Sequence, residues 1–258
     1  MGPHKNNGEL IRIPDPRVLK VSPIGDCDDC SNFCCKSCFR KDEGNLFRSL
    51  STEEMDALMQ FKHEVRFRPG ETIFKQNTGS SHLICFRRGV AKVYVEGEND
   101  KNLIVKVVKD SDIVVSGGIL THSVRPFTVA AVTAVECCFI DSAKIVELLF
   151  ANFRFALAFL EKYHSQSNQM FNTLVMLTQK YMPGKVADTL LNLRNNIFVQ
   201  NPFQIPFSRQ ELADMSAMSK ESFVRVLSEF KDSGLVAIHG KAIEILDEEG
   251  LTALSRNG

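Results

Sequence analysis

The sequence predicts an α+β chain with two domains, and three observations carry that prediction. Short apolar runs alternate with polar turns between residues 65 and 140, which is typical of antiparallel strands. Residues 142–181 contain neither Pro nor Gly, which favours helix. Two closely spaced helix starts follow within residues 206–235. A chain of 258 residues is long enough to give each of two domains its own hydrophobic core.

Composition limits the function classes. The 31 Lys and Arg residues equal the 31 Asp and Glu residues in number, so binding of nucleic acid requires a local basic surface. Arg209, Lys220, Arg225 and Lys231 can supply one. No apolar run approaches the roughly 18 residues of a membrane-spanning helix. The first 25 residues also lack a signal-peptide core. We therefore expect a cytoplasmic protein without a membrane partner.

Residues 1–45 are expected to form an N-terminal arm that carries a cysteine cluster. Five of the eight cysteines lie within twelve residues of it: Cys27, Cys30, Cys34, Cys35 and Cys38. In a cytosolic chain this density favours metal or free thiols over disulfides. Two C-x-x-C pairs at this spacing suit one soft metal centre, either iron–sulfur or zinc. A reduced thiol cluster without metal is the alternative.

Residues 46–141 are expected to form an antiparallel barrel or jelly roll. A short helix between residues 46 and 61 precedes it, because Ser51 and Glu54 have the spacing of a capping box. The strand-like runs are residues 72–74, 83–86, 90–95, 103–108, 129–135 and 137–140. Short strands at this spacing are typical of such folds. Cys85 lies in one of these apolar runs and is expected to be a small core residue.

Residues 142–181 are predicted to form one long helix. Seven positions follow alternating spacings of three and four: Ala156, Phe159, Tyr163, Gln166, Met170, Thr173 and Leu177. This stripe suits a coiled-coil seam between two subunits, and equally a face packed on the chain's own core. Pro183-Gly184 is expected to break the chain as a hinge. Residues 182–258 then form the second domain.

Two short helices joined by a tight turn are predicted near the C-terminus. Ser208 and Glu211 have capping-box spacing, and Ser219 is a good N-cap for the second helix. Ala213 is small where the helices must cross, and Gly234 sits where a C-cap glycine ends a helix. The apolar face of the second helix consists of Phe223, Val226, Leu227 and Phe230.

The exposed front of the second helix has side chains that suit a DNA major groove. Arginine donates hydrogen bonds to guanine, and glutamate accepts from cytosine. The expected DNA contacts are Ser208, Arg209, Ser219, Lys220, Glu221, Ser222 and Arg225. Residues 236–246 add two alternating runs that turn at Gly240, which predicts a small β wing. An amphipathic helix pair with a solvated charged face is the structural alternative.

This arrangement resembles the CRP/FNR family of bacterial transcription regulators. The resemblance rests on residues 219–225, Gly234-Leu235, the hairpin at Gly240-Lys241 and, upstream, residues 68–76 and 89–94. It implies a cyclic-nucleotide-binding-like β-roll at 46–141, a dimerisation helix at 142–181 and a winged helix-turn-helix at 182–258. Ala217 departs from the family pattern, because a turn glycine is usual there. A left-handed conformation at that residue costs an alanine ~1 kcal/mol.

The resemblance implies a sequence-specific regulator rather than an enzyme. A homodimer would read palindromic double-stranded DNA with half-sites about one helical turn apart, and would act on RNA polymerase. The sequence contains no Gly-rich phosphate loop, nucleophile elbow or metalloprotease helix. The competing class is a sensor or metal-carrying module that does not bind DNA.

Cyclic AMP is not expected as the ligand of the β-roll. In the family a Gly-Glu pair holds the ribose and an Arg-Ser pair holds the phosphate. Val115-Ser116 and Arg125-Pro126 stand at the matching positions here, so a carboxylate and a hydroxyl are missing. Ser116, Gly117 and Arg125 remain as a reduced candidate pocket. Arg125 by itself is expected to be a surface arginine.

The resemblance to the FNR branch implies a 4Fe–4S cluster that responds to redox state, oxygen or nitric oxide. That branch uses a C-x2-C-x5-C motif plus one distant cysteine on a strand. The matching candidates are Cys27, Cys30, Cys38 and Cys138, with Cys35 and then Cys34 as substitutes. The third cysteine follows after three, four or seven residues rather than five, which departs from the motif. A ligand of the β-roll with no metal is the alternative signal.

Overall fold

The structure, a computed structural model, describes residues 45–79, 81–98, 101–115 and 124–257. The arm cysteines, and Ser116 and Gly117 of the candidate pocket, lie outside these described residues. The strands are β1 Lys62–Phe67, β2 Thr72–Phe74, β3 His82–Arg88, β4 Ala91–Glu96, β5 Asn102–Val108, β6 Ile113–Val114, β7 Thr128–Ala131, β8 Val135–Asp141, β9 Phe203–Gln204, β10 Val236–His239 and β11 Ala242–Ile245. The α-helices are α1 Thr52–Met59, α2 Ser142–Ala151, α3 Phe153–Gln179, α4 Met182–Asn192, α5 Arg209–Met215, α6 Lys220–Asp232 and α7 Glu248–Asn257.

Strands β1 to β8 form two antiparallel four-stranded sheets, which confirms the predicted β-roll. Their orders are β1-β8-β3-β6 and β2-β7-β4-β5. One apolar cluster contains residues from all eight strands, including Phe67, Phe86, Val93 and Val129, so the core of the roll lies between the sheets. This arrangement follows from the alternation of apolar side chains along each strand.

One predicted strand is wrong. The run at residues 129–135 covers parts of two strands, because the chain passes from one sheet to the other between β7 and β8. The Thr133 hydroxyl in this turn accepts a hydrogen bond from the Val90 N–H at 2.9 Å. Gly89 lies beside it with φ +96°, and a Cβ there would collide with the Ala134 carbonyl. Close backbone approach therefore requires glycine at this position.

A second apolar cluster covers the other face of the β1-β8-β3-β6 sheet. A 3-10 helix at Leu46–Ser49 and α1 contribute Leu46, Phe47 and Met55 to it. The predicted capping box is present, since the Ser51 hydroxyl accepts from the Glu54 N–H at 3.2 Å and the Glu54 carboxylate accepts from the Ser51 N–H at 2.8 Å. The first turn of the predicted helix is 3-10 rather than α.

The expectation of one unbroken helix over residues 142–181 is wrong. Asn152 is extended, with φ −126° and ψ 101°, and it separates α2 from α3. Its side-chain oxygen accepts from the Phe155 N–H at 3.0 Å, and its amide donates to the Glu54 carboxylate at 2.9 Å. Asparagine competes with the helix for such bonds, which is why it favours N-caps. One side chain therefore ends α2, starts α3 and ties both to α1.

The predicted seam on α3 mixes two faces. Phe159 is 4% exposed and packs into the chain's own core, and Gln166 donates to the Ile113 carbonyl at 3.0 Å. These positions cannot lie on an open seam. Most of the large apolar side chains that are exposed on α3 follow a different stripe, made of Phe153, Leu157, Leu160, Phe171, Leu174 and Val175, while Tyr163 and Met170 of the predicted seam are exposed as well. The 3-4 pattern of apolar residues is shared by both faces, so spacing alone did not separate them.

The break before the C-terminal domain lies earlier than predicted. Lys180 and Tyr181 are extended, whereas Pro183 and Gly184 lie in the first turn of α4. Proline is tolerated there because its missing N–H has no partner in a first helical turn. Within the described residues, none of the helices combines the length and apolarity needed to cross a bilayer.

The C-terminal domain packs its helices against the three-stranded sheet β10-β11-β9. Its core includes Leu190, Phe203, Leu212 and Phe223. The same cluster contains Ile104 and Val107 of β5, which belong to the β-roll. The two domains therefore share one continuous apolar contact, which is centred on β5 and extended by Val90, Tyr94 and Val132 of the roll.

Candidate nucleic-acid interface

The first helix of the pair, α5, begins as the sequence predicts. The Ser208 hydroxyl accepts from the Glu211 N–H at 3.2 Å, and the Glu211 carboxylate accepts from the Ser208 N–H at 2.7 Å. This capping box satisfies two of the backbone donors left open at a helix start. Ala213 is fully buried where α5 crosses α6, so the small side chain has the predicted packing role.

The turn between α5 and α6 is fixed from beneath by a buried polar pair. The Ser216 and Thr189 hydroxyls are 2.9 Å apart, and Ser216 also donates to the Leu212 carbonyl at 3.1 Å. Thr189 lies on α4, so the turn is attached to the domain core. Ala217 follows with φ 48°, the left-handed conformation for which a glycine was expected. The strain is tolerated because both flanking helices fix the turn.

The second helix, α6, presents two chemically distinct faces. Its predicted apolar residues Phe223, Val226, Leu227 and Phe230 are all buried. Ser219 caps the helix by accepting from the Ser222 N–H at 3.2 Å. Gly234, with φ +74°, ends it, and the Leu235 N–H donates to the Phe230 carbonyl at 2.9 Å. This is the Schellman arrangement of a glycine-terminated helix.

The exposed face of α6 carries the residues predicted to contact DNA. Lys220, Glu221 and Arg225 are exposed, and Ser222 is half-buried. Val224 and Ser228 are exposed on the same face and were missed by the sequence analysis. The spacing i, i+3, i+4, i+7 from Glu221 identifies them. Val224 adds an apolar group that suits contact with a thymine methyl.

The charges on this face are available to a ligand. Neither Lys220 nor Arg225 forms an ion pair with any residue that the structure describes. Hydrogen bonding to its own backbone N–H and to Ser219 lowers the pKa of Glu221, so this carboxylate is ionised at neutral pH. Ser208 and Ser219 are exposed, and Arg209 is half-buried. All seven predicted contacts lie at the N-terminal ends or on the front of α5 and α6.

The predicted wing is the β10–β11 hairpin. Its strands pair in register from Val236 opposite Ile245 to His239 opposite Ala242. Gly240 has φ +64°, and it is exposed together with Lys241 at the tip. β9 adds a third strand through Phe203. The hairpin is thereby anchored to the domain while its tip stays open to solvent.

An ion pair joins this domain to the β-roll. Lys92 of β4 lies 2.7 Å from the Glu211 carboxylate, and both side chains are about four-fifths buried, at 23% and 21% exposure. Burial raises the pKa of Glu211, but hydrogen bonds from Lys92 and Ser208 outweigh it and hold the pKa below its ordinary value. The same carboxylate closes the capping box of α5. The start of the helix pair is therefore coupled to the β2-β7-β4-β5 sheet of the roll.

The two adjacent cysteines of β8 face opposite sides of their sheet, as alternation along a strand requires. Cys137 lies in the core of the roll, and burial raises the pKa of its thiol to about 12. Cys138 is fully buried in the second cluster, which also contains Leu46 and Phe47, the residues that follow the arm directly. Cys85 of β3 stands directly opposite Cys138 and lies in the same cluster. Sequence reasoning predicted burial of Cys85 but not this pairing.

The expectation that Arg125 is a surface arginine is wrong. It is 7% exposed, its guanidinium lies 4.3 Å from the centre of the Phe74 ring, and it donates to the Thr78 hydroxyl at 3.4 Å. Burial lowers the pKa of Arg125. It makes no ion pair with a described residue. Pairing with Phe74 on β2 was not visible in the sequence because the two positions are distant along the chain.

Comparisons with known proteins agree with this architecture. Residues 64–152 match the cyclic nucleotide-binding domain, and residues 184–254 match the Crp-like helix-turn-helix domain. The chain is 28% identical to the transcriptional activator protein FnrA of Stutzerimonas stutzeri over 214 residues, 80% of this chain and 86% of that protein. It is 26% identical to the transcriptional activator protein Anr of Pseudomonas protegens over 248 residues, 94% of this chain and 98% of that protein.

The fold also matches that of the solved structure of FixK2 from Bradyrhizobium japonicum. The TM-score is 0.70 at 16% identity, and the match covers 75% of this chain and 96% of that one. The β-roll and the winged helix-turn-helix thus correspond to the two matched domains, the cyclic nucleotide-binding domain and the Crp-like helix-turn-helix domain. The chain belongs to the CRP/FNR family of transcription regulators and is closer to the FNR branch. Its helix-turn-helix is a DNA-binding element, and its relatives are regulators rather than enzymes.

The strained turn gives a stability prediction. Replacing Ala217 by Gly removes the left-handed penalty and should raise the free energy of unfolding by up to about 1 kcal/mol. Replacing the exposed Ala253 of α7 by Gly is the matched control and should lower it by about 1 kcal/mol, because glycine weakens a helix interior. Urea unfolding of both variants measures the difference. An Ala217→Gly variant that is less stable than the parent contradicts the strain at this turn.

Proposed function

We propose that this chain is a dimeric, sequence-specific regulator that reads palindromic double-stranded DNA with α6 and its wing and acts on RNA polymerase. The observation that carries the proposal is the open front of α6, where Lys220, Val224 and Arg225 are exposed, as is Lys241 at the tip of the wing. A buried apolar back and an exposed polar front are what a helix in the major groove needs.

Individual residues have distinct roles in this proposal. Arg225 and Glu221 contact base edges, while Lys220 contacts phosphate or base. Ser208, Ser219 and Ser222 lie at helix starts, where hydroxyl and backbone N–H groups suit phosphate oxygens. Arg209 supports the same backbone contact from α5. Arg209, Lys220 and Arg225 supply the local positive charge that DNA binding needs in a chain whose overall charge is balanced.

The base-reading role of Arg225 gives the second prediction. On a selected palindrome, Arg225→Ala should weaken binding by ~1–3 kcal/mol and relax preference at one base pair of each half-site. The control is Arg256→Ala, which removes an exposed arginine of α7 and should leave affinity unchanged. Competition binding with cognate and singly mismatched duplexes measures both effects. Full discrimination by the Arg225→Ala protein would refute the assignment.

We also propose that two copies pair through the exposed stripe of α3. Phe153, Leu160 and Phe171 are 80%, 61% and 62% exposed, which is unusual for large apolar groups on one helix face. They recur at spacings of seven and eleven, which keeps them on one side of the helix. Burial of this stripe against a second copy would place two α6 helices on one DNA duplex.

A charge placed on the stripe tests the dimer. Leu160→Glu combined with Phe171→Glu should yield monomers, because each carboxylate would be buried against its symmetry mate without a partner. Ser165→Glu, on the opposite face of the helix, is the control and should remain dimeric. Sedimentation velocity reports the oligomeric state and gel shifts report palindrome affinity. A double variant that stays dimeric would place the interface elsewhere.

We propose that the signal is redox state, oxygen or nitric oxide, sensed through a 4Fe–4S cluster that Cys138 shares with Cys27, Cys30 and Cys38 of the arm. Cys35 and then Cys34 are the substitutes for Cys38. The position of Cys138 supports this: it belongs to the same apolar cluster as Leu46 and Phe47, and Cys38 is only eight residues before Leu46 in the sequence. Thiolates are the ligands that iron–sulfur clusters prefer.

Cys138 suits an iron–sulfur cluster better than Cys137 does. Its side chain faces the cluster that packs on the arm-proximal 3-10 helix, on α1 and on Phe155 of α3, whereas Cys137 faces the roll interior. An iron–sulfur cluster bound at Cys138 would hold the arm against the start of α3. Loss of the iron–sulfur cluster would release the arm from α3. The stability of α3, the proposed dimer helix, would change as a result. When bound, the cluster supplies a centre that oxygen or nitric oxide can attack.

The neighbouring cysteines provide a matched pair of variants. Protein purified without oxygen should contain iron and sulfide and absorb visible light. Cys138→Ala and Cys30→Ala should lose both, and Cys137→Ala should keep both because its thiol faces the other core. Colourless parent protein with no iron after reconstitution, and DNA affinity unchanged by Cys30→Ala, would refute the cluster.

Arg125 favours one alternative, a small anionic ligand held inside the β-roll with no metal. A buried guanidinium that has no carboxylate partner among the described residues is an uncompensated charge. Cyclic AMP remains an unsuitable occupant, because Val115 is an 8% exposed apolar residue where the family places a pair that binds ribose. Metal-free parent protein whose DNA affinity changes on Arg125→Met would support this alternative.

A further inference from the structure

A cleft of about 660 Å³ lies between the two domains. β5 forms one wall, the C-terminal half of α3 forms a second, and α4 with the π-helical segment Leu193–Phe198 forms the third. Its volume is within the range of sites that hold small molecules. The cleft is separate from the interior of the β-roll, from the cysteine cluster and from the front of α6.

The charge in this cleft is unbalanced. Three lysines line it, Lys106, Lys109 and Lys162, and none of them forms an ion pair with a residue that the structure describes. One of the two lining carboxylates is paired with a lysine outside the cleft, which leaves one carboxylate against three lysines. Asp188 binds Lys180 at 2.6 Å and accepts from Ser255, and Asp112 accepts from the Lys109 backbone N–H at 3.0 Å. The cleft therefore has excess positive charge.

Lys106 is the most confined of these cations. Burial lowers the pKa of its ammonium group; Asp112 opposes this shift, while nearby Lys162 adds to it. Lys106 is half-buried on a strand whose nearby Ile104 and Val107 are buried, so its ammonium group has lost part of its hydration. An anion in the cleft would restore the lost interactions and offset the repulsion between the two ammonium groups.

The other side chains that line the cleft indicate which chemical groups the ligand carries besides an anion. Amide and hydroxyl side chains surround the lysines: Ser165, Gln169, Asn172, Thr173, Asn192 and Asn195. These groups both donate and accept hydrogen bonds, so they complement sugar hydroxyls, which also do both. None of the described residues that line the cleft is aromatic, so a nucleobase would find no ring to stack on.

We propose that this interdomain cleft binds a small polyhydroxylated molecule that carries a phosphate, with Lys106 and Lys162 holding the phosphate and the amides holding the hydroxyls. A sugar phosphate and the ribose phosphate part of a nucleotide share this chemistry. Lysine binds phosphate as a point charge, and two lysines match its two negative charges.

The position of the cleft gives such a ligand an effect on the DNA-binding domain. Its walls come from β5 of the roll and from α4 of the C-terminal domain, so occupancy favours the arrangement in which these elements are close. On α3 the lining residues Lys162, Gln169 and Thr173 lie roughly opposite the exposed stripe at Leu160 and Phe171, given 3.6 residues per turn. Ligand binding and pairing of two copies therefore use different faces of one helix.

Calorimetric titration of the full chain with four separate probes tests the proposal: ribose phosphate, glucose phosphate, adenosine monophosphate and inorganic phosphate. Saturable binding of ribose phosphate or glucose phosphate is expected. Lys106→Gln and Lys162→Gln should each weaken it about tenfold or more. Lys101→Gln, which removes an exposed lysine just before β5, is the control and should not change it. Lys106 is half-buried and forms no ion pair with a described residue, so the neutral variant should fold as the parent does.

The probes also separate the sources of the ligand. Adenosine monophosphate that binds as tightly as ribose phosphate identifies a nucleotide, and weaker binding identifies a sugar phosphate. No saturable binding of any probe at millimolar concentrations overturns the proposal, as does affinity that Lys106→Gln and Lys162→Gln leave unchanged. Inorganic phosphate that binds as tightly as the other probes overturns recognition of the hydroxyls. Palindrome affinity without added ligand is measured independently, so failure here leaves the DNA-reading proposal intact.

Discussion

The arrangement of the two domains depends on the docking of one β-roll strand into the core of the C-terminal domain. Ile104 and Val107 of β5 are 4% and 6% exposed and share a cluster with Phe203, Leu212 and Phe223. Burial of side chains of this size contributes roughly 1.5–3 kcal/mol each, so the contact outweighs any single exposed ion pair. Apolar contact by itself does not favour one relative orientation of the two domains, whereas the Lys92–Glu211 ion pair does. The front of α6 is oriented by this contact.

Helix α3 has to serve three surfaces at once. Near the start of α3, Phe155 and Phe159 pack into the apolar cluster that covers the β1-β8-β3-β6 sheet. Gln169 and Thr173 line the interdomain cleft. Leu160 and Phe171 face outward. Asn152 makes this possible, because the break it causes lets α3 leave the direction of α2. A signal that alters the packing at its start acts on the same rigid rod that bounds the cleft and the proposed dimer face.

The environment of the cysteines depends partly on local alternation along a strand and partly on tertiary packing. Alternation along β8 requires Cys137 and Cys138 to face opposite sides, and this follows from the sequence once the strand is recognised. Which side faces the arm depends on where Leu46 and Phe47 pack, and that is a property of the whole sheet. The pairing of Cys85 with Cys138 depends on the register of β3 against β8, which no local pattern specifies.

The sequence by itself determined the elements whose signals are local. Capping at Ser51, Ser208 and Ser219, the glycine that ends α6 and the apolar back of α6 all depend on residues within one or two turns, and all are present. Only the tertiary structure decided which α3 face is buried, that Asn152 interrupts the helix and that Arg125 stacks on Phe74. These outcomes depend on partners more than 40 residues away, which sequence periodicity cannot rank. The cleft around Lys106 belongs to the same class, because its walls come from three separate parts of the chain.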